Sequence, residues 1–469
     1  MKKLFVKLKI SCKVFRSVES QRHRKIYFLR VFLLSFGGLQ LSEELRWLSW
    51  RLSRLAETVR VRVPSYGSLC LACKAGRMLC GKARCPLLLK AEMMLKSPVF
   101  KASERVEGSS PPGVFVGRLG YPKVYLGPLI PPFHGDTSTL DLPEAWLGKS
   151  LEEIVGLRYS LVRGLSKVRV DQPQTGGKLL DQLHEMILSE RPVEAEAEFT
   201  RKPRGSILLS DESQPFGPSA PLKTLKIIPQ TADRQLEKYY YDWDLKAWDA
   251  VLSLYRAGLP ISRIQKAFSL GMFGEKRFRR LVPTRWSITA VDSMVSLSLV
   301  GEIKNYPPIN EYRVYSFKHL DNLFAALLTP EAWEFEWIEA WFPGTVWNPA
   351  GEKAEFMGDY EGYKGRTTYP EVGGCYFSAR LAVAEALKAE RRQAGVLILR
   401  EIHGGYLLPV GVWNVRESVR AMLKSKPEKF SSLKEALKAL EAKLTIRLET
   451  WLKTSKILRK LLYQRKLSA

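Results

Sequence analysis

Two periods of apolar and polar residues run along this chain, and the places where one replaces the other mark its elements. From Val193 to Phe199 the order is Val-Glu-Ala-Glu-Ala-Glu-Phe, an alternation that predicts a strand with one buried face. Val114–Val116 and Lys123–Leu126 predict two shorter strands joined through Gly117–Pro122, followed by an extended loop from Gly127 to Pro132. Val396–Leu399 predicts a short apolar strand, with Tyr406–Trp413 as its partner. Elsewhere the period is helical. Leu41, Leu45, Leu48, Leu52 and Leu55 share one face, with Trp47 and Trp50 nearby. Helices are also expected at Ser150–Val155, Asp233–Ala257, Ser262–Leu270, within residues 310–340, and at Tyr376–Arg392. In the first of these, Glu152 and Glu153 occupy the opening turn, where the helix dipole favours carboxylates. Ser432-x-x-Glu435 has the form of a capping box, and it opens a last long helix striped by Leu433, Leu437, Leu440, Leu444 and Leu448. Ser109–Gly113, Gln214–Pro221 and Pro343–Pro370 read as turns and loops. The expected fold is mixed α+β: a two-part α/β body, a four-cysteine segment near the amino terminus and a basic carboxy-terminal helix.

Charge changes this picture at the ends. The 469 residues carry a net charge of +26. Residues 1–62 hold 15 Lys/Arg against 4 Asp/Glu, or +11; residues 424–469 hold 13 against 4, or +9; the remainder carries +6. Basic ends on a nearly balanced body suit a polyanion, either nucleic acid or an acidic membrane surface, with plain solubility charge as the alternative. The apolar run Ile26–Leu41 is interrupted by Arg30 and is shorter than the ~20 residues that span a bilayer, so no stable membrane insertion is expected. Lys2, Lys3 and Lys7 give a faint likeness to a signal peptide, but no small-residue cleavage site follows. The cysteine usage is not that of a secreted disulfide framework, and the expected location is cytoplasmic.

The cysteines concentrate in one segment. Cys70, Cys73, Cys80 and Cys85 follow the pattern C-x2-C-x6-C-x4-C, with Lys74, Arg77, Lys82 and Arg84 among them. Four thiolates suit one tetrahedral zinc ion and leave no open coordination position, which makes the expected zinc structural. An iron–sulfur cluster, a disulfide pair, or unliganded buried thiols are the alternatives.

Other constellations are weaker. Gly176-Gly177-Lys178 is followed by Leu179, so it lacks the hydroxyl of a phosphate-binding Walker loop. No two of His23, His134, His184, His319 and His403 are spaced to ligate one metal from one helical face. His134 with Asp136 offers an acid/base or metal pair, or a hydrogen-bonded loop. Gly373 and Gly374, before a helix carrying Ser378 and Arg380, offer amides to a phosphate, or form a tight turn. Arg285 and Trp286 near Asp292 offer a cation, a stacking surface and a carboxylate, or a core Trp beside a buried ion pair.

Several stretches together resemble the archaeal Nre family of DNA repair proteins. They are the cysteine segment, Ser110-Pro-Pro-Gly-Val-Phe-Val-Gly117, Gly120-Tyr-Pro-Lys-Val-Tyr-Leu-Gly-Pro-Leu-Ile-Pro-Pro132, His134-Gly-Asp-Thr137 and Leu281-Val-Pro-Thr-Arg-Trp-Ser-Ile-Thr-Ala-Val-Asp292. Gly373-Gly374, Ala379-Arg-Leu-Ala-Val383, Leu408-Pro-Val-Gly-Val-Trp413 and Val415-Arg-Glu417 continue the series, which covers about Cys70 to Arg420. The resemblance implies a basic extension at 1–62 outside the family, a zinc finger at 63–92, a larger region at 93–300, a smaller one at 301–425, and a basic helix with a tail at 426–469. It implies a role in DNA damage repair, with DNA as partner and a nucleoid-associated location. Family members also end in a peptide for the polymerase sliding clamp, PCNA. Here Gln464 and Leu467 match that peptide but no aromatic plug follows, which implies weakened clamp binding. An enzyme that processes phosphodiesters or nucleotides, with His134, Asp136, Arg285 and Asp292 as candidate catalytic residues, is the alternative function.

Overall fold

The structure, a computed structural model, describes residues 59–62, 73, 77–79, 82, 84–208, 215–349 and 351–463. The first sheet is built from β1 (Arg105–Ser110), β2 (Val114–Val116), β3 (Lys123–Ile130), β4 (Val162–Arg169), β5 (Val193–Phe199) and β6 (Ser219–Ile228), in the order β1-β5-β6-β4-β3-β2. The second is built from β7 (Tyr312–His319), β8 (Asn322–Thr329), β9 (Glu334–Trp341), β10 (Glu355–Glu361), β11 (Gly395–Ile402) and β12 (Glu428–Phe430), in the order β10-β9-β11-β8-β7-β12. Each sheet has one parallel pair, β4 with β6 and β9 with β11. A short parallel pair, Val59–Arg62 with Gly205–Leu208, stands apart.

The helices are α1 (Pro86–Lys96), α2 (Leu151–Tyr159), α3 (Lys178–Leu188), α4 (Arg234–Tyr241), α5 (Ala247–Arg256), α6 (Ile261–Ser269), α7 (Thr284–Ile303), α8 (Gly374–Glu390), α9 (Trp413–Lys424), α10 (Leu433–Lys443), α11 (Leu448–Leu452) and α12 (Lys456–Tyr463). One core runs from the inner face of sheet 1 through helices α3 to α9 to the inner face of sheet 2. The outer face of sheet 2 is covered by α10, α11 and α12, through Ala436, Leu440, Trp451 and Ile457. None of the described helices is long and apolar enough to cross a membrane.

Local sequence explains much of this. β5 buries Val193, Ala195, Ala197 and Phe199 and turns its glutamates outward, as its alternation requires. α2 begins with a capping box, in which Ser150 Oγ accepts from the Glu153 amide and the Glu153 carboxylate accepts from the Ser150 amide.

Other expectations need correction. Residues 310–340 form strands β7, β8 and β9 rather than helices. Sheet 2 is covered on both faces, so β8 is buried at every position and shows no alternation. A tight turn at Leu320–Asp321, with φ values of 49° and 54°, joins β7 to β8. Tyr406–Trp413 does not pair with β11, whose neighbours are β8 and β9. Tyr406, Leu407, Leu408 and Val410 instead join Trp146 and helices α1 and α2 in a side cluster. Asp233–Ala257 divides into α4 and α5, because the Asp242 carboxylate accepts from the Asp244 and Leu245 amides and turns the chain. The extended stretch Gly127–Pro132 is largely strand, since β3 continues to Ile130. The single basic carboxy-terminal helix is three helices. Its break falls where the amides of Thr445 and Ile446 donate to the Glu401 carboxylate of β11, and Ser432 makes no side-chain cap.

Candidate functional site

The motif Leu281–Asp292 holds two different surroundings together. Its start is tied down: the Leu281 amide donates to Val170 O at 2.7 Å and the Val282 amide to Ser269 O at 2.8 Å. Pro283 then opens α7, and Thr284 Oγ1 accepts from the Val116 amide at 3.0 Å, fixing the helix start to the edge strand β2. Arg285 and Trp286 emerge into solvent there. The Trp286 ring lies 5.6 Å from that of Tyr121, which sits at the β2–β3 turn, and both rings are about half exposed (47% and 48%). Two turns further along α7, Asp292 is fully buried.

Asp292 is the centre of a closed polar network. It accepts from Arg416 Nη1 at 3.1 Å, Ser378 Oγ at 2.6 Å and Gln265 Nε2 at 2.8 Å. Arg416 also meets Glu417 at 3.0 Å and Glu144 at 3.6 Å. Burial pushes the Asp292 carboxyl above its ordinary value, against the pull of Arg416 and Ser378. Its ion-pair partner is thus Arg416 of α9, while Arg285 points outward. The contacts Thr289 to Gly374, Asp292 to Ser378 and Glu302 to Lys388 advance in step, so α7 and α8 run parallel. Gly374 to Val412 and Glu385 to Arg420 show the same for α8 and α9. Asp292 therefore locks three parallel helices, and a carboxylate with no exposed surface cannot touch a substrate.

The other candidates fall elsewhere. His134 Nδ1 lies 2.5 Å from Glu194 Oε2, and Glu194 also accepts from Ser109 Oγ at 2.6 Å. The Ser109 and His134 bonds hold the Glu194 carboxyl below its usual range. Asp136 faces its own turn, where Ser138 holds it low, and it makes no contact with the His134 ring. His134, Asp136 and Asp292 thus have separate partners, and the phosphodiester- or nucleotide-processing alternative draws no support from this geometry. Arg380 is buried and turned inward, donating to Glu361 at 2.6 Å and Ser296 at 3.1 Å, so it does not face a ligand beside the α8 amides. Gly373 adopts a φ of 68°, which favours glycine. A side chain on Gly374 would approach Thr289 Oγ1 and Val412 Cγ1 at 3.2 Å, so this glycine lets α7 and the start of α9 close on α8. A cleft of about 550 Å³ lies between Tyr255, Leu259 and Pro260 on one side and Glu385, Lys388 and Arg420 on the other. Its Lys388 and Arg420 are already paired with Glu302 and Glu385.

Comparison with known proteins settles the lineage. Two family models match, "Archaeal Nre, N-terminal" over residues 79–348 and "Archaeal Nre, C-terminal" over residues 361–469. The chain belongs to the archaeal Nre family. It is 42% identical to "DNA repair protein NreB" of Archaeoglobus fulgidus, over 83% of this chain and 97% of that protein. It is 42% identical to "DNA repair protein NreA" of the same organism, over 79% of this chain and 92% of that protein. "DNA repair protein NreA" of Haloferax volcanii is 36% identical, over 68% of this chain and 79% of that protein. No solved structure matches.

The Asp292 network joins the two Nre regions, since Asp292 belongs to the first match and Ser378 and Arg416 to the second. Of the cysteine set, Cys73 and Cys85 are buried, and Cys85 immediately precedes α1. Cys70 and Cys80 lie outside the described residues, as do Gln464, Leu467 and the helical stripe of residues 41–55. Among the described residues no group of three or more His, Cys, Asp or Glu could hold a metal. Sequence reading also gave no role to Lys123, Tyr125 and Lys167, exposed on the outer face of sheet 1. The alternation Lys-Val-Tyr-Leu in the Nre-like stretch Gly120–Pro132 is the signal that could have found the first two.

Proposed function

We propose that this chain is a DNA-repair protein that contacts DNA through its basic surfaces. The observation that carries the repair role is the family itself: Nre relatives aligned over nearly their whole length are named DNA repair proteins. Contact with DNA is supported by the charge, of which +11 + 9 = +20 of +26 lies in residues 1–62 and 424–469. The exposed Tyr121–Trp286 ring pair, with Arg118 and Arg285 beside it in sequence, adds a stacking surface. Filter binding of labelled DNA at rising salt tests this reading. Affinity should fall steeply and linearly on logarithmic axes; absence of affinity, or affinity without a salt slope, overturns it.

In the same proposal Cys70, Cys73, Cys80 and Cys85 hold one zinc ion that orders the segment before α1. Of the four, Cys73 and Cys85 are buried, at 7% and 8% exposure. Bound zinc would supply folding energy rather than chemistry, because four thiolates close its coordination sphere. Cys80→Ser should take the metal content from about one zinc per chain to none; a content that stays at one overturns the ligand set. Gln464 and Leu467 are, in the same proposal, the residues that would meet the sliding clamp.

A further inference from the structure

We infer that the outer face of β3 and β4 is a platform for single-stranded DNA, an assignment that rests on the DNA-binding reading above. Alternation along β3 buries Val124 and Leu126 completely and turns Lys123 and Tyr125 to the other side. On β4 the same rule turns Lys167 and Arg169 outward while Val162 stays in the core. The antiparallel register sets Lys123 opposite Arg169 and Tyr125 opposite Lys167. Directly opposed side chains lie about 5 Å apart at Cβ, so ring and cations form one patch.

The charges on this face are unevenly answered. Arg169 is paired with Asp171, but Lys123 and Lys167 have no carboxylate partner among the described residues. Glu196 and Glu198, on the β5 half of the same face, are matched by Arg105, Lys226 and Lys223. Uncompensated positive charge is therefore concentrated on β3 and β4. The Tyr125 ring is 43% exposed, without a ring or hydrogen-bond partner among the described residues. The Tyr121–Trp286 pair stands at the turn from which β3 begins.

The rings decide between duplex and single strand. In a duplex the base faces are covered by their neighbours, so an exposed aromatic ring finds nothing to stack on. Nor can this face enter a groove: a six-stranded sheet is about 24 Å across, against about 12 Å for the major groove. Phosphates on lysines with unpaired bases on the Tyr125, Tyr121 and Trp286 rings satisfy both features.

The test is fluorescence anisotropy of a labelled oligothymidylate, and of a duplex of equal length, with the full chain. Tyr125→Ala and Trp286→Ala should each weaken single-strand binding on the order of tenfold, leaving duplex binding unchanged. Tyr125→Phe should keep wild-type affinity, since it preserves the stacking face. Lys123→Gln with Lys167→Gln should lower the single-strand salt slope by about 1.4. If the ring variants leave single-strand binding intact, or weaken both DNA forms equally, the platform is refuted while DNA binding stands. If the wild-type chain binds neither form, the DNA-binding reading itself has failed. Unchanged melting temperatures show that the variants are folded.

Discussion

The two sheets have the same number of strands and one parallel pair each, yet they treat their outer faces in opposite ways. In sheet 2 every residue of β8 is buried, and α10 to α12 cover the far side. Even its polar outward residues are used internally. Glu336 of β9 accepts from Ser455 Oγ and from the Lys456 and Ile457 amides, and Glu401 of β11 accepts from the Thr445 and Ile446 amides. Glu336 thereby takes up backbone donors that the start of α12 leaves unsatisfied, and Glu401 those of the link between α10 and α11. In sheet 1 the equivalent positions on β3 and β4 carry lysines and a tyrosine facing solvent. A closed sheet contributes rigidity, and an open one presents chemistry. The Asp292 network belongs to the closed part and the Tyr121–Trp286 pair to the open part, although one twelve-residue motif supplies residues to both.

The largest test of this contrast removes one aromatic ring from each outer face. Trp451 is fully buried against sheet 2, where its ring meets Phe356 edge-on at 5.0 Å. Trp451→Ala should cost about 3–5 kcal/mol, through lost burial and a cavity. Tyr125→Ala on sheet 1 should stay within about 0.5 kcal/mol, as for a surface change. Chemical denaturation midpoints measure both, and equal losses would abolish the distinction. A smaller effect comes from beneath sheet 1. His184 of α3 is 6% exposed, with Nε2 3.1 Å from Leu270 O and Nδ1 3.2 Å from the Tyr240 hydroxyl. Burial pulls its pKa from 6.5 down to about 4. Between those values the unfolded chain binds a proton that the folded one refuses. Stability is therefore complete above pH 6.5 and falls as pH drops towards 4, by roughly 3 kcal/mol at most. Comparing denaturation at pH 7 and pH 4.5 should show a smaller acid loss in His184→Gln than in the wild type; an equal loss would place the titration elsewhere.

How legible each region was follows from the same contrast. β5 and β3 were readable because one face of sheet 1 is open and the alternation survives in the sequence. β8 and β9 were misread as helices because a strand buried on both sides loses that alternation. The break after α10 was invisible for a different reason. The leucine stripe continues through Leu444 and Leu448, and only a carboxylate distant in sequence, Glu401, draws the chain out of the helix. The motif Leu281–Asp292 stood out as a unit, but its division into an outward stack and an inward lock depends on Arg416 and Ser378 from later helices. The two lysines and the tyrosine of the open face were missed because each reads alone as an ordinary surface residue. Only the register of β3 with β4 gathers them.

The mildest test asks whether the closure of sheet 2 is local or shared. Glu336 presents its two oxygens to three donors at the start of α12, at 2.5–3.0 Å. Glu336→Gln keeps the size but replaces one acceptor with an amide that cannot accept. At least one of those donors then loses its partner, at a cost of about 1–2 kcal/mol. Amide exchange at Lys456 and Ile457 should accelerate by roughly five- to thirtyfold, which is the same free energy expressed as an opening equilibrium. Thr445 and Ile446 should keep their protection, because Glu401 holds them independently. If Thr445 and Ile446 accelerate together with Lys456 and Ile457, the three terminal helices open as one unit. The cover of sheet 2 would then behave as a single hinged layer, and the difference between the closed and the open sheet would be one of degree.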